Sequence, residues 1–420
     1  MTVSKPSVSA REYAIGTPLP GQEHIPTLFK PLEIRNVTLR NRIAVSPMCT
    51  YSGHDGHATD FHLVHDGQFA LHGASIVMVE ATNVQARGRI SPYCLGLWKD
   101  SQIEPLAKIA SFVRSQGAVA AIQLGHAGRK ASTQTPFNVM LESTTKNVAT
   151  EDEGGWPDDL LAPSAIPWSD GFPTPKAATQ EDINQFIEDF KAAAKRAVTA
   201  GFQIIEIHAA HGYFLFQFLS PTTNKRTDKY GGSFENRTRL LRDTIRAVRS
   251  VIPSEMPLFL RISSTEWLEH TGQPSWTPAD TISVALEIAT EGLVDLIDVS
   301  SGGNSPDQQI PRHQKLYQVQ IAGDVRAALR AAGHSMLVGA VGLIDGASMA
   351  QALVQGADGE NDKAIKIAAE YASDEPRADL VFVARQFLRD PTFVKTVAQE
   401  LGIQTQLAKQ YERAAVQSKH

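Results

Sequence analysis

Two histidines and a tyrosine follow an apolar run near the middle of the chain. Residues 204–207 are mostly isoleucine, and His208, His211 and Tyr213 come directly after them. Because the run has the length and β-branched composition of a buried strand, these polar side chains are predicted to lie where the strand ends. In a barrel of parallel strands, the active site forms at that end. The pattern therefore predicts hydrogen-bond donors that point at a ligand.

The two histidines also permit a metal site. A separation of three residues places His208 and His211 on one face of a helical turn, and imidazole is a common ligand of zinc. No third ligand is evident nearby, because Glu206 is expected to point the other way in the strand. We therefore favour hydrogen bonding to a substrate over a metal site or a purely structural histidine pair.

Other predicted strand ends carry a mixed set of polar and small residues. Gln123 both donates and accepts hydrogen bonds, which suits the edge of a pyrimidine ring. Arg261 supplies a fixed positive charge that would stabilise an anionic ring. Glycines and other small residues after the last three strands allow backbone N–H groups to approach a phosphate. No pair of carboxylates lies at these ends, so hydrolysis by two carboxylates is poorly supported.

The elements that position these residues alternate between short apolar runs and helical patterns. The eight predicted strands are residues 42–46, 76–80, 119–124, 203–208, 258–262, 296–299, 336–340 and 380–385. Strands that alternate with helices pair in parallel through crossovers, and eight such units predict a (β/α)8 TIM barrel. A doubly wound open sheet is the alternative, and the lack of a G-x-G-x-x-G motif after the first strand weakens it.

The chain divides into one large domain with two terminal extensions. Residues 1–26 are predicted to form an extended N-terminal arm, residues 27–400 the single barrel domain, and residues 401–420 a C-terminal tail. Residues 131–175 follow the third strand and are predicted to form a hairpin lid on the catalytic face. Residues 358–376 are predicted to form an inserted amphipathic helix on the opposite face.

Composition and charge exclude several classes of protein. The 420 residues are 42% hydrophobic and 20% charged, as in a soluble globular protein, and the net charge of -5 makes nucleic acid an unsuitable partner. No apolar run is long enough to span a bilayer, and no secretory signal is evident. With only two cysteines, Cys49 and Cys94, a disulfide framework and an all-cysteine iron–sulfur cluster are excluded. A cytoplasmic location is expected.

Taken together, these motifs resemble the Old Yellow Enzyme family of FMN-dependent ene-reductases, and most closely its thermophilic-like subclass. The resemblance runs from about residue 28 to residue 413. The motifs that carry it are Ser46-Pro47-Met48-Cys49 with Tyr51, Val79-Glu80-Ala81, Gln123-Leu124-Gly125-His126-Ala127-Gly128-Arg129-Lys130, His208-Ala209-Ala210-His211-Gly212-Tyr213, Arg226-Thr227-Asp228-Lys229-Tyr230-Gly231-Gly232-Ser233, Leu388-Arg389-Asp390-Pro391 and Tyr411-Glu412-Arg413.

The resemblance implies an FMN across the barrel mouth, with NADPH or NADH as the reductant. The flavin ring would be lined by Ser46, Pro47, Met48, Cys49, Ala81, Gln123 and Arg261. Its phosphate would be held by Gly342, Ala384 and Arg385. The family usually has glycine where this chain has Ala384. Cys49 would tune the redox potential of the flavin without acting as a nucleophile.

The resemblance also implies a reaction and an assembly. His208 and His211 would bind the carbonyl oxygen of a small α,β-unsaturated substrate, Tyr213 would donate the proton, and Tyr51 would add a contact. The flavin N5 would deliver hydride to the alkene. Arg413 would reach the active site of a neighbouring subunit, in a homodimer or a homotetramer.

Three other classes of function compete with this prediction, and the sequence counts against each of them. A related flavin barrel, such as a dienoyl-CoA reductase or an amine dehydrogenase, would carry a cluster of cysteines and extra domains, which this chain lacks. A flavin-free aldolase or isomerase barrel would need a lysine or a carboxylate pair at the strand ends. A redox-silent descendant would bind a ligand or partner without catalysis, since fold alone does not fix function.

Overall fold

A closed barrel of eight parallel strands forms the centre of the molecule. The computed structural model describes residues 14–141, 147–356, 371 and 373–414. The barrel strands are β1 (Ile43–Val45), β2 (Ile76–Asn83), β3 (Val119–Gly125), β4 (Ile204–Ala209), β5 (Leu258–Ser263), β6 (Leu296–Ser300), β7 (Leu337–Val341) and β8 (Leu380–Val383). Each pairs with the next in sequence, and β8 pairs with β1. The predicted (β/α)8 barrel and its eight strands are confirmed, and the open sheet is excluded.

Helices cover the outside of the barrel and connect its strands. They are α1 (Asp60–Leu71), α2 (Ile103–Ser115), α3 (Pro136–Leu141), α4 (Gln180–Thr199), α5 (Phe214–Leu219), α6 (Phe234–Arg249), α7 (Pro278–Glu291), α8 (Val319–Ala331), α9 (Ala347–Val354), α10 (Arg385–Arg389) and α11 (Phe393–Glu400). The strands are buried on both faces, which explains their nearly continuous apolar sequences.

Local sequence signals set the ends of α4. Thr179 precedes the helix and its hydroxyl accepts a hydrogen bond from the Asp182 N–H at 3.1 Å, while the Asp182 carboxylate accepts from the Thr179 N–H at 3.0 Å. This reciprocal capping box satisfies two N–H groups that the helix leaves unpaired. At the other end, Gly201 adopts a φ of +88°, as expected for the glycine that terminates a helix.

The interior of the barrel changes from apolar to polar along its axis. The lower part is a compact apolar cluster that includes Ile76, Phe259 and Phe382. An antiparallel strand pair before the barrel, Leu32–Ile34 with Val37–Leu39, adds Ile34, Val37 and Leu39 to this cluster and closes the bottom. The side chains one layer higher are polar, and they form the floor of the site described below.

The predicted arm and tail pack against each other. The Gly16 N–H donates to the Gln406 carbonyl at 2.8 Å, and the Leu19 N–H donates to the Gln404 carbonyl at 2.9 Å. Tyr411 stacks on His72, with ring centres 5.6 Å apart. His72 caps the C-terminal end of α1, which lies at the bottom of the barrel because α1 starts at the top and runs downward.

The segment after β3 extends over the top of the barrel, but it is not one hairpin. The prediction of a hairpin lid is wrong in this respect, because Leu161–Ala162 and Lys176–Ala177 pair in parallel. The 13 residues between these strands, 163–175, contain bends and a turn but no helix or strand. The segment includes α3, and its residues 142–146 lie outside the described residues.

Most of the predicted inserted helix, residues 358–376, also lies outside the described part of the chain. Within the part that the structure describes, no helix combines the length and the apolar character needed to cross a membrane.

Candidate active site

His208, His211 and Tyr213 come together at the top of β4, as their spacing predicts. The two imidazole rings are perpendicular, with centres 5.1 Å apart, and the Tyr213 ring lies 5.1 Å from His208. The turn that brings them together is not helical, which corrects the geometry expected from the sequence. His211 has a φ of +59°, and its N–H donates to the Ser263 hydroxyl at 2.8 Å. A left-handed residue at the strand end therefore folds the second histidine back over the first.

The hydrogen bonds of His208 define which of its ring nitrogens carries a proton. The Ala210 N–H donates to Nδ1 at 3.2 Å, so the neutral ring carries its proton on Nε2. Burial lowers the pKa of His208 well below its ordinary value, and the neighbouring His211 lowers it further. His208 is therefore a neutral donor at physiological pH.

His211 is held by a serine from a neighbouring part of the barrel. Its Nε2 lies 2.7 Å from the hydroxyl of Ser300, at the end of β6. When this hydroxyl donates, the proton of the neutral ring resides on Nδ1. Burial lowers the pKa of His211 to about 3, with Arg261 contributing. The second imidazole is thus also neutral, and its tautomer is coupled to the direction of its hydrogen bond with Ser300.

Glu206 points into the barrel beside His208, and the expectation that it points away is wrong. Residues two apart in a strand share a face, so Ile204, Glu206 and His208 all face inward. The Glu206 Oε1 accepts a hydrogen bond from Gln123 Nε2 at 2.7 Å and lies 3.8 Å from Arg261 Nε. This carboxyl belongs to the floor of the site.

Arg261, on β5, joins β6 to the loop after β1 in the same polar layer. Its Nε donates to Asp298 Oδ2 at 2.6 Å, and its Nη2 donates to the Ser46 hydroxyl at 2.7 Å. Asp298 was not singled out from the sequence, although it lies two residues before Ser300 and therefore faces inward as Ser300 does. No carboxylate pair lies at the strand ends, but a pair lies one layer below them, with one arginine between.

The charge of this layer is not balanced by arginine alone. Burial raises the pKa of Glu206 to about 8; Arg261 opposes the rise and Asp298 adds to it. Burial also raises the pKa of Asp298, which Arg261 lowers through direct hydrogen bonds. One oxygen of each carboxyl, Glu206 Oε2 and Asp298 Oδ1, is buried without a partner among the described residues. Arg261 thus pairs directly with Asp298, whereas its Nε lies 3.8 Å from Glu206.

The loop after β1 places Cys49 and Tyr51 against the same apolar cluster as Tyr213. Glu80 accepts hydrogen bonds from the Thr50 N–H at 3.0 Å and the Thr50 hydroxyl at 2.6 Å, which fixes the loop. Burial raises the pKa of the Cys49 thiol well above its ordinary value, and Glu80 raises it further. Cys49 therefore stays a thiol and is not activated as a nucleophile. Tyr51 has a φ of +52°.

The other residues predicted to line this side of the flavin ring lie at the start of the same loop or in β2. Ser46 is buried, and Pro47 and Met48 are half-buried. Ala81 is buried at an irregularity of β2, where the register with β3 shifts between Val79 and Thr82. Irregularities of this kind redirect side chains near active sites.

The predicted phosphate-binding residues lie together at the ends of β7 and β8. Gly342 has a φ of +130°, and a Cβ there would lie 3.1 Å from Gln318 Nε2. Ala384 has a φ of -104°, so its conformation does not require the glycine that is usual in the family. Arg385 begins α10, is exposed and has no ion-pair partner in the described ranges. This end combines close backbone approach with a free positive charge.

Lys130 completes the site and was not assigned a role from the sequence. Its ammonium donates to the carbonyls of His211 at 3.0 Å and Gly303 at 2.8 Å, and lies 4.9 Å from the centre of the Tyr213 ring. Burial lowers the pKa of Lys130 to about 7. Burial raises the pKa of Tyr213, with smaller contributions from Cys49 and Cys94, so its hydroxyl is protonated. The only sequence signal for Lys130 was its place in the motif after β3.

Arg413 does not join this assembly within one chain. It is exposed in the segment Lys409–Ala414, whose Tyr411 packs on His72 at the bottom of the barrel. The site residues that the sequence predicted are thus brought together at the top, with the exception of Arg413.

A third buried histidine near the site makes stability depend on pH. His126 is fully buried, and burial lowers its pKa to about 3. Because the unfolded chain binds a proton near pH 6.5, stability is lost as the pH falls below that value. Between about pH 6.5 and 4.5, the parent chain should lose stability that His126→Gln keeps, by about 2 kcal/mol. Urea unfolding at both pH values measures this, and equal losses would contradict the neutral state of His126.

Sequence comparison identifies similar proteins over nearly the whole chain. Residues 27–404 match the family described as NADH:flavin oxidoreductase / NADH oxidase. An NADH:flavin oxidoreductase of Gibberella zeae is 43% identical over 411 residues, which cover 96% of this chain and 92% of that protein. An NADPH dehydrogenase of Bacillus cytotoxicus is 41% identical over 390 residues, which cover 92% of this chain and 96% of that protein.

Solved structures share the same barrel. Old Yellow Enzyme from Pichia sp. AKU4542 is similar with a TM-score of 0.63 and 25% identity, covering 93% of this chain and 89% of that one. A 2-naphthoyl-CoA reductase is similar with a TM-score of 0.71 and 23% identity, covering 89% of this chain. This chain spans only 52% of that reductase, so the likeness concerns the barrel alone.

Proposed function

Because the chain belongs to the NADH:flavin oxidoreductase / NADH oxidase family of Old Yellow Enzymes, and is therefore an FMN-dependent NAD(P)H oxidoreductase, we propose that it reduces the C=C bond of α,β-unsaturated carbonyl compounds. The observation that carries this proposal is the pair of neutral, perpendicular imidazoles of His208 and His211 beside the protonated Tyr213. Two donors and one acid suit a carbonyl oxygen and the adjacent carbon.

The residues of the site suit an FMN. Gln123 Oε1 has no partner in the described ranges and can accept from the ring, while Arg261 supplies positive charge from below. Gly342 and Arg385 supply close backbone approach and charge for the phosphate. We propose that Ser46, Pro47, Met48, Cys49 and Ala81 border the ring. When bound, the FMN supplies the hydride.

The chain itself holds the substrate and moves the proton. His208 donates from Nε2 to the carbonyl oxygen, and His211 donates from Nδ1 once Ser300 donates to its Nε2. As negative charge develops on that oxygen, each preorganised donor stabilises it by about 3–4 kcal/mol. Tyr213 then gives its hydroxyl proton to the α-carbon. Tyr51, on the same side of the site, contacts the substrate.

The visible spectrum of the purified protein tests the function. A yellow protein that is bleached by NADPH under anaerobic conditions and recovers its colour with 2-cyclohexenone would support the proposal. Bleaching without recovery would show a flavin oxidoreductase that does not reduce enones, and would overturn it. A colourless protein that cannot be reconstituted with FMN would favour the flavin-free barrel or the redox-silent descendant.

The proton donor can be tested separately from the hydride donor. Tyr213→Phe is expected to slow reoxidation of the reduced protein by 2-cyclohexenone by about 10²-fold or more, because general acid catalysis typically contributes that much. Reduction by NADPH needs no proton from Tyr213 and should stay unchanged. Stopped-flow absorbance measures both half-reactions. Tyr51→Phe is the matched control, and a larger loss there than in Tyr213→Phe would reassign the proton donor.

The phosphate site can be tested with two forms of the cofactor. Arg385→Ala is expected to weaken FMN binding by about 10- to 100-fold, because a hydrogen bond to a charged group contributes about 1.5–3 kcal/mol. Riboflavin lacks the phosphate, so its affinity should not change. Arg389→Ala, at the other end of α10, is the control because Arg389 bonds to Gln386. Equal losses of FMN and riboflavin affinity in Arg385→Ala would contradict the assignment.

We also propose that the chain forms a homodimer or homotetramer in which Arg413 reaches a neighbouring active site. Its support is the position of Arg413, which is exposed near the bottom of its own barrel. Phe61 and Val64 expose apolar surface on α1, as a self-association surface would. Light scattering of the purified protein would report the assembly.

We propose a cytoplasmic location as well. Both cysteines are free, which suits the reducing cytoplasm.

A further inference from the structure

Glu206 is a buried carboxyl directly below the proposed flavin site, and the reaction described above does not use it. The side chain is fully buried. Its Oε1 accepts from Gln123 Nε2 at 2.7 Å, and its Oε2 is buried without a partner in the described ranges. A carboxyl that contacts a flavin-facing amide and leaves one oxygen unpaired is positioned to change its protonation with the state of the site.

The charged neighbours of Glu206 come from several strands. Arg261 on β5 lies 3.8 Å away but is committed to Asp298 on β6 and to Ser46. His208 lies above on the same strand and is neutral. His211 and Lys130 lie higher still, and Glu80 on β2 is engaged by Thr50 and His62. Glu206 is therefore the carboxyl of this layer that accepts no direct hydrogen bond from the Arg261 guanidinium.

The amide of Gln123 can meet Glu206 in two ways. With Glu206 ionised, Gln123 Nε2 donates to the carboxylate and Oε1 faces the site, as in the structure. With Glu206 protonated, its O–H needs an acceptor, and Oε1 supplies one if the amide turns over. The NH2 group of Gln123 then faces the site. The two orientations have nearly the same shape, so the proton decides between them.

We propose that Glu206 is a positioning residue that takes up a proton when the flavin is reduced and thereby sets which end of the Gln123 amide faces the flavin. The inference rests on the proposed function for the location of the flavin. Glu206 itself touches neither the substrate nor the reacting carbon.

The reaction balances in charge and in atoms. Hydride from the reduced nicotinamide brings two electrons and one proton, so the site gains one negative charge. A proton from solvent bonds to a Glu206 oxygen and cancels that charge, and no further oxidant or reductant is needed. The Gln123 amide turns, and its NH2 group then donates to the more electron-rich ring. On reoxidation by the alkene, the carboxyl releases the same proton.

The pH dependence of the flavin midpoint potential tests this inference. A two-electron reduction with one proton shifts the potential by about 29.6 mV per pH unit, and a second linked proton doubles the slope to about 59 mV. The holoprotein is expected to show the steeper slope over the pH range in which Glu206 is ionised with oxidised flavin and protonated with reduced flavin. Glu206→Gln, which has the same shape and no titration, is expected to show the shallow slope throughout.

Two further variants identify the group that titrates. Glu206→Asp keeps a carboxyl and should keep a steep segment, displaced in pH. Lys130→Met removes the other nearby group whose pKa lies near neutrality, and should leave the steep segment in place. Loss of the steep segment in Lys130→Met with its retention in Glu206→Gln would overturn the inference.

Infrared difference spectra of reduced minus oxidised protein give a second measurement. A carboxylic-acid carbonyl band should appear on reduction and be absent in Glu206→Gln. A protein that binds FMN and turns over enones but has the same shallow slope as Glu206→Gln overturns the inference alone. A protein that binds no flavin overturns the proposed function, and the inference with it.

Discussion

Replacing both His208 and His211 with alanine is expected to lower kcat/KM for 2-cyclohexenone by about 10⁴-fold or more. Removing one preorganised donor to a developing oxyanion typically costs about 10²- to 10³-fold, and both imidazoles are neutral donors in a buried site. FMN should stay bound, since the proposed ring and phosphate contacts come from other strands. The measurement is steady-state turnover together with the flavin content of the purified variant.

The single variants show how much each imidazole contributes to kcat/KM. His208→Ala is expected to lose more than His211→Ala, because the Ala210 N–H fixes His208 as a donor whereas His211 depends on Ser300. Their effects need not add, since the rings are in contact. His334→Ala, in a histidine outside the site, is the matched control. Parent-like enone turnover in the double variant would disprove the carbonyl-binding role.

Arg261→Met is expected to produce the largest loss of stability, about 3–5 kcal/mol near neutral pH. It removes the charged partner of a buried pair and leaves the Asp298 carboxyl without its cation. Urea unfolding of the apoprotein measures the loss. Arg239→Met is the control, because Arg239 pairs with Glu235 on the exposed side of α6, where an ion pair contributes less than about 1 kcal/mol.

The loss in Arg261→Met should depend on pH in a defined direction. Without the arginine, burial raises the pKa values of Asp298 and Glu206 further above those of the unfolded chain. A group with a raised folded pKa contributes stability below its unfolded pKa and loses it as the pH rises. The difference from the parent chain should thus be small near pH 4 and grow toward neutrality. A difference that shrinks over this range would contradict the buried charge pair.

The barrel could be predicted because its signals are local. Each strand is a short apolar run between helical patterns, and a strand buried on both faces needs no knowledge of its partners. Capping residues such as Thr179 and Gly201 likewise act within a few residues of themselves. The region after β3 could not be predicted in this way. Whether Leu161–Ala162 pairs in parallel or in a hairpin depends on contacts with the rest of the barrel.

The site could be predicted only in part for the same reason. His208, His211 and Tyr213 lie at the end of one strand, so the local sequence alone predicts that they are close together. The Glu206–Gln123 and Arg261–Asp298 contacts join strands that are 83 and 37 residues apart in sequence. Strand periodicity, applied to Glu206 and Asp298, places both inside the barrel, but it does not show which partners they meet. The contact of Ser300 with His211 could not be predicted from the sequence either, because the two residues are 89 positions apart.

The apolar closure at the bottom of the barrel has a kinetic consequence. Ile34, Val37 and Leu39 fill that end, so a ligand reaches the proposed flavin site only from the top. Under the proposed function, the reduced nicotinamide and the alkene both enter through this mouth, and we expect them to occupy one space in turn, with a product leaving before the second substrate enters. Double-reciprocal plots of the initial rate against one substrate, at several fixed concentrations of the other, should give parallel lines. An excess of either substrate should inhibit, because it binds the form of the enzyme that the other substrate requires.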